Sequence, residues 1–88
     1  MNLSEEQLSE VEQMGELFYS IDDIADNIGV DAEELSAVME LRAGKVWEAY
    51  RRGWLKGDLA LRRSIAKAAE NGSNPAQQMM LNLQKQAK

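Results

Sequence analysis

Lys45, Arg52, Lys56, Arg63 and Lys67 recur at intervals of 7, 4, 7 and 4 residues. On a helix advancing about 100° per residue, that spacing gathers the five side chains into one narrow stripe. Cations so aligned suit the phosphates of a nucleic acid, each contact releasing one counterion. Arg51 stands beside the stripe and Arg42 just ahead of it, while Asn27 and Ser36 are the polar side chains that an upstream helical unit could offer to DNA. The candidate DNA-binding set is therefore Asn27, Ser36, Arg42, Lys45, Arg51, Arg52, Lys56, Arg63 and Lys67, with double-stranded DNA as the expected partner. The plainer alternative for such a charge run is a solvated helix face.

Other chemistry has few candidates. The chain has no cysteine and no histidine, which removes disulfides, thiolate metal sites, the commonest general base and the commonest zinc ligand. Asp22-Asp23 and Glu33-Glu34 are adjacent rather than convergent carboxylates, and no Walker loop appears. No catalytic residue, metal site or cofactor is expected, and the chain reads as a non-enzyme. No run approaches the roughly 20 apolar residues of a membrane span, and Met1-Asn2-Leu3 lacks the start of a signal peptide. A cytoplasmic protein with no membrane partner is the expectation.

The net charge of -5 conceals a polarity. Residues 1–41 hold 12 Asp and Glu with no Lys or Arg, whereas residues 42–88 hold 10 Lys and Arg against Glu48, Asp58 and Glu70. A chain of −12 and +7 halves folds them together, pairs head to tail with its neighbours, or offers the basic half to a polyanion. At 88 residues one hydrophobic core is marginal, so a homo-oligomer is expected.

The elements that must position the cations are helical. Ser4 and Gln7 form a capping box ahead of Leu8, Val11, Met14 and Phe18, a helix with one apolar stripe whose last turn Gly15 weakens. Its other face carries Glu5, Glu6, Glu10, Glu12 and Glu16, expected to be solvated. Residues 20–42 read as a helix-turn-helix unit: Ser20 and Asp23 open the first helix, Ile24, Ile28, Leu35 and Val38 face inward, and Ala25 is small enough to be crossed. Gly29 takes the left-handed turn, and Asp31 with Glu34 caps a second helix that runs to about Arg42. Asp31, Ala32, Glu33, Ser36 and Ala37 would point toward a DNA groove, where the carboxylates repel phosphate.

Ala43-Gly44 breaks the chain, and residues 45–70 carry one long pattern. Val46, Trp47, Tyr50, Gly53, Trp54, Gly57, Leu61, Ile65 and Ala68 share its apolar face, with the aromatic side chains as core. Gly53 and Gly57 either admit a close neighbour or kink the helix. After the Asn71-Gly72-Ser73 loop a short final helix restarts, with Asn74 as its cap, Pro75 at its first position and Gln77 completing the capping box. Leu55, Leu59, Ala66, Met79, Met80 and Leu83 are the candidate oligomer interface. The fold expected is all-α: a helix-turn-helix head over residues 1–44, with its helices crossing at a right angle. Residues 45–88 then form a long basic helix and a short C-terminal one, packed in the same domain or serving as an oligomerisation arm.

The succession IADNIGVDAEEL, AYRRGWLKGDLALRRSIAKAA and NGSNPAQQMMLNL, over about residues 20–83, resembles the small subunits of phage DNA-packaging terminases. Ala49-Tyr50-Arg51-Arg52-Gly53, Leu61-Arg62-Arg63-Ser64-Ile65 and the run through Ala68, Ala69, Gly72, Ala76 and Met80 carry the likeness most closely. The resemblance implies a non-enzymatic adaptor in the host cytoplasm that binds viral DNA, assembles into a ring and passes DNA to a large ATPase and nuclease subunit. Two other readings share the same residues: a helical protein-interaction module, and a small helix-turn-helix transcriptional regulator acting as a two-fold dimer.

Overall fold

Each of the first three helices starts where a side-chain oxygen accepts an otherwise unpaired backbone N–H, the arrangement its sequence predicts. In the computed structural model, which describes residues 1–87, helix α1 spans Glu5–Glu16. Ser4 Oγ accepts from the Gln7 N–H at 3.1 Å, and Gln7 Oε1 accepts from the Ser4 N–H at 2.9 Å. Helix α2, Ile21–Ile28, is capped by Ser20, and α3, Ala32–Glu40, by Asp31, whose Oδ2 accepts from the Glu34 N–H at 3.0 Å. Such caps contribute about 1 kcal/mol each. Helix α4 is one helix over Lys45–Glu70, and α5 covers Asn74–Gln86. The all-α class holds, with no strand among the described residues.

The chain divides into two compact units, Met1–Gly57 and Asp58–Lys88, so the division falls inside α4 rather than at the Gly44 break. In the first unit Val11, Ile24, Ala25, Leu35, Val46 and Ala49 form the buried core, with Leu8, Met14, Ile28, Val38 and Tyr50 half-buried around it. Gly29 sits at φ 79, ends α2 and has no neighbour near the position a β-carbon would take, so its own backbone is what demands glycine. Gln7 Nε2 donates to the Ile28 carbonyl at 3.1 Å, so the side chain that completes the α1 cap also ties α1 to the end of α2.

Helix α1 and the start of α4 meet through glycines. A β-carbon on Gly53 would overlap the Glu12 carbonyl, one on Gly57 the Glu16 carbonyl, and one on Gly15 would lie 2.9 Å from the Tyr50 carbonyl oxygen. Gly15 is thus a contact residue rather than only a weak point in α1. The strip of α4 buried in this unit is Val46, Ala49, Gly53 and Gly57, while Trp47, Tyr50 and Trp54 are half-buried flanks rather than the centre of the core. Small residues take the centre because the backbones approach too closely for rings.

Phe18 departs from the expected buried stripe. Helix α1 ends at Glu16, and Phe18 follows at φ 64 with 44% of its surface exposed. The Tyr19 N–H donates to the Met14 carbonyl and the Phe18 N–H to that of Gly15, the paired bonds of a left-handed helix stop. The ring meets Trp54 edge-on with centroids 5.7 Å apart.

In the second unit the end of α4 and α5 form a helical hairpin whose one buried side chain is Ala76. Ser73, not Asn74, caps α5, accepting from the Ala76 N–H at 3.4 Å, and Pro75 stands in the first turn. Gln77 reaches back across the turn, its Nε2 donating to the Ala69 carbonyl at 3.0 Å. Leu61, expected on the buried face, is 49% exposed.

Candidate nucleic-acid interface

The side chains expected to meet phosphate differ in how far the protein itself uses them. Arg52 Nε and Lys56 Nζ each lie 2.6 Å from a separate oxygen of Glu12. The two cations are one helical turn apart on α4, and the glycine contact beside them holds α1 close enough for one carboxylate to bridge both. The hydrogen bonds from Lys56 and then Arg52 hold the Glu12 carboxyl below its ordinary pKa, against a smaller opposing effect of desolvation. Both cations keep more than half of their side-chain surface exposed, so the triad contributes at most about 1 kcal/mol.

Arg51 turns its guanidinium over the Trp54 ring, 5.6 Å from the centroid, in a cation–π contact that leaves its N–H donors available. Arg42 lies just past the end of α3 at φ 51, exposed, and Lys45 is the exposed first residue of α4. The second helix of the unit stops at Glu40, before Arg42. In the second unit Arg63 and Lys67 are exposed on α4, and neither joins an ion pair among the described residues. Arg62, outside the expected set, donates to Asp58 Oδ2 at 2.9 Å. Lys85 on α5 is exposed and was missed by spacing because it lies on a different helix from the stripe.

The polar pair of the upstream unit divides in the same way. Asn27 Nδ2 donates to Glu10 Oε2 at 3.1 Å and points at Met14 Sδ at 3.3 Å, so its amide is engaged with α1. Ser36 is exposed on α3 among Glu33, Glu40 and Ala37. The exposed surface of α3 is acidic, and this helix has no cation of its own.

Charge follows the two units. Thirteen carboxylates against five cations give Met1–Gly57 a charge of −8, and five cations against Asp58 and Glu70 give Asp58–Lys88 a charge of +3. Of the oligomer candidates, Leu55, Leu59 and Met79 are about half exposed, and Ala66, Met80 and Leu83 are intermediate. Leu81, which was not among them, is 51% exposed and lines an open apolar groove of about 540 Å³ with Ala69 and Met80.

Glu12 is the residue that reading the stripe alone misses. Its signal was the matching set of Gly15, Gly53 and Gly57, which marks where α1 meets α4 and sets Glu12 beside Arg52 and Lys56. Among the described residues no group of three or more acidic side chains could hold a metal ion. No helix there is long and apolar enough to cross a membrane. Comparison with protein-family models, with curated proteins and with solved structures gives no match.

Proposed function

We propose that the protein is a duplex-DNA-binding adaptor of the terminase small-subunit kind, holding DNA by its phosphates for a separate packaging motor. The observation that carries this reading is the set of exposed cations without an ion-pair partner in the described residues: Arg42, Lys45, Arg51, Arg63, Lys67 and Lys85. Cations of that kind meet phosphate with little to give up. The acidic surface of α3 disfavours a base-reading role for that helix, so binding is expected to depend on salt more than on sequence. The adaptor role is drawn from the resemblance of the order of sequence segments to that of terminase small subunits.

The test is titration of a labelled duplex with the full chain at several salt concentrations. Affinity should fall about 10³-fold or more between about 50 and 200 mM salt if six phosphates are neutralised. Absence of binding at the lowest salt overturns the reading. For the adaptor role, the gene is expected beside one encoding a large packaging ATPase.

A second reading has its own observation. Units of −8 and +3, with Leu59 and Met79 exposed in the second, favour self-association of acidic against basic surfaces. Light scattering without DNA checks it: particle mass should rise as salt is lowered.

A further inference from the structure

Two cations one turn apart, both mostly exposed and both aimed at a single carboxylate, have the composition of an oxyanion site that is already filled. Arg52 Nε and Lys56 Nζ each approach a different Glu12 oxygen at 2.6 Å, so they address one anionic group from two sides. We propose that Arg52 and Lys56 form a binding site for a nucleic-acid phosphate, and that Glu12 is its resting occupant, displaced when the phosphate arrives.

Displacement is local. The Glu12 backbone cannot retreat, because its carbonyl is pressed on Gly53. Its side chain can turn away, because that needs only rotation about its own χ angles toward solvent. The pair it leaves is a surface pair, worth no more than about a fivefold factor, which a polyanion gaining two charge contacts can outcompete. Glu12 therefore tunes binding in two ways: it withholds two cations from phosphate, and its own charge repels an approaching backbone. This site rests on the DNA-binding reading and adds to it a carboxylate that sets the threshold for binding.

The experiment compares duplex binding by the full chain, by Glu12→Gln, by Arg52→Gln with Lys56→Gln, and by the three changes together, across a salt series. Far-UV circular dichroism verifies the helical content of each. Glu12→Gln keeps the side chain's shape and leaves the glycine contact intact. It should bind up to about fivefold tighter, with a salt dependence steeper by as much as two phosphate contacts, about 0.9 each in log–log slope. Adding the Arg52 and Lys56 changes should abolish that gain, and in the wild-type background they should cost less than they do beside Glu12→Gln.

If wild type binds and Glu12→Gln leaves affinity and slope unchanged, the filled site is refuted while DNA binding stands. If no variant binds duplex at low salt, the DNA-binding reading itself fails. A parallel titration of Glu12→Gln with inorganic phosphate, read at the Arg52 Nε–H resonance, distinguishes the source of the anion. A response there with no change toward duplex makes the site one for free phosphate and overturns its assignment to nucleic acid.

Discussion

The backbone carbonyl of Glu12 rests on the α-carbon of Gly53, with no room for a β-carbon between them. The same contact recurs one turn on, between Glu16 and Gly57, so α1 lies on α4 backbone to backbone. Helix propensity alone would have Gly53→Ala stabilise the chain by about 1 kcal/mol. The obstructing atom is a main-chain oxygen rather than the end of a flexible side chain, and overpacking of that kind costs about 1–3 kcal/mol. The collision should win. Gly53→Ala and Gly57→Ala are expected to lower the urea midpoint, and a rise would contradict this packing.

At Phe18 the strain is in its own backbone. A bulky residue at φ 64 costs about 1–2 kcal/mol against glycine. Removing the ring also loses the edge-on contact with Trp54, worth about 0.5–1.5 kcal/mol. The two effects separate by comparison: Phe18→Gly should be about 1 kcal/mol more stable than Phe18→Ala. Equal melting temperatures for the pair would mean the left-handed stop is not kept in solution.

Leu35 and Leu41 lie six positions apart and should behave as different residues. Leu35 is fully buried and Leu41 is 74% exposed. Leu35→Ala is expected to cost about 2–5 kcal/mol, a large share of what a small unit possesses. Leu41→Ala should stay within about 0.5 kcal/mol. Denaturant unfolding of the two variants measures the contrast directly.

Acid should release the Glu12 triad. The folded pKa of Glu12 is lowered by Lys56 and Arg52, so its contribution is fully present above the ordinary value of 4.5 and is lost as pH falls through the lowered folded value. Wild type should therefore exceed Glu12→Gln in stability by at most about 1 kcal/mol at neutral pH. The difference should shrink below pH 4.5. A gap that persists unchanged into strong acid would mean the pairing is not what separates the two proteins.

Among the exposed cations, Lys67→Gln and Arg63→Gln should each reduce the salt slope of duplex binding by about 0.9. In the wild-type background Arg52→Gln should reduce it by less, since that side chain already has a partner. Anisotropy titrations of the single variants check the ranking.

Local signals were the legible ones. The caps at Ser4, Ser20 and Asp31, the left-handed Gly29 and the break at Gly44 are each written in three or four adjacent residues, and each lies where those residues require. Pairings between distant segments were less legible. The bridging of Arg52 and Lys56 by Glu12 depends on how α1 meets α4, which a helical wheel of either helix cannot give. The same holds for the half-exposure of Leu61, which depends on what packs beside α4 rather than on its own helical wheel. Ser73 rather than Asn74 is the cap because α5 begins at Asn74 itself, one residue earlier than Pro75 suggested, which leaves the serine hydroxyl to accept from the Ala76 N–H.

Val11 lies in a core closed by Val46 and Ala49, residues from the opposite end of the same unit. As the chain leaves the ribosome, residues 1–41 emerge ahead of α4, bearing twelve carboxylates and no lysine or arginine to offset them. Their apolar faces have no lid until the glycine-bearing start of α4 follows. The first unit is thus completed only when Gly57 has followed, and a nascent chain halted before it should remain open to protease and available to chaperones.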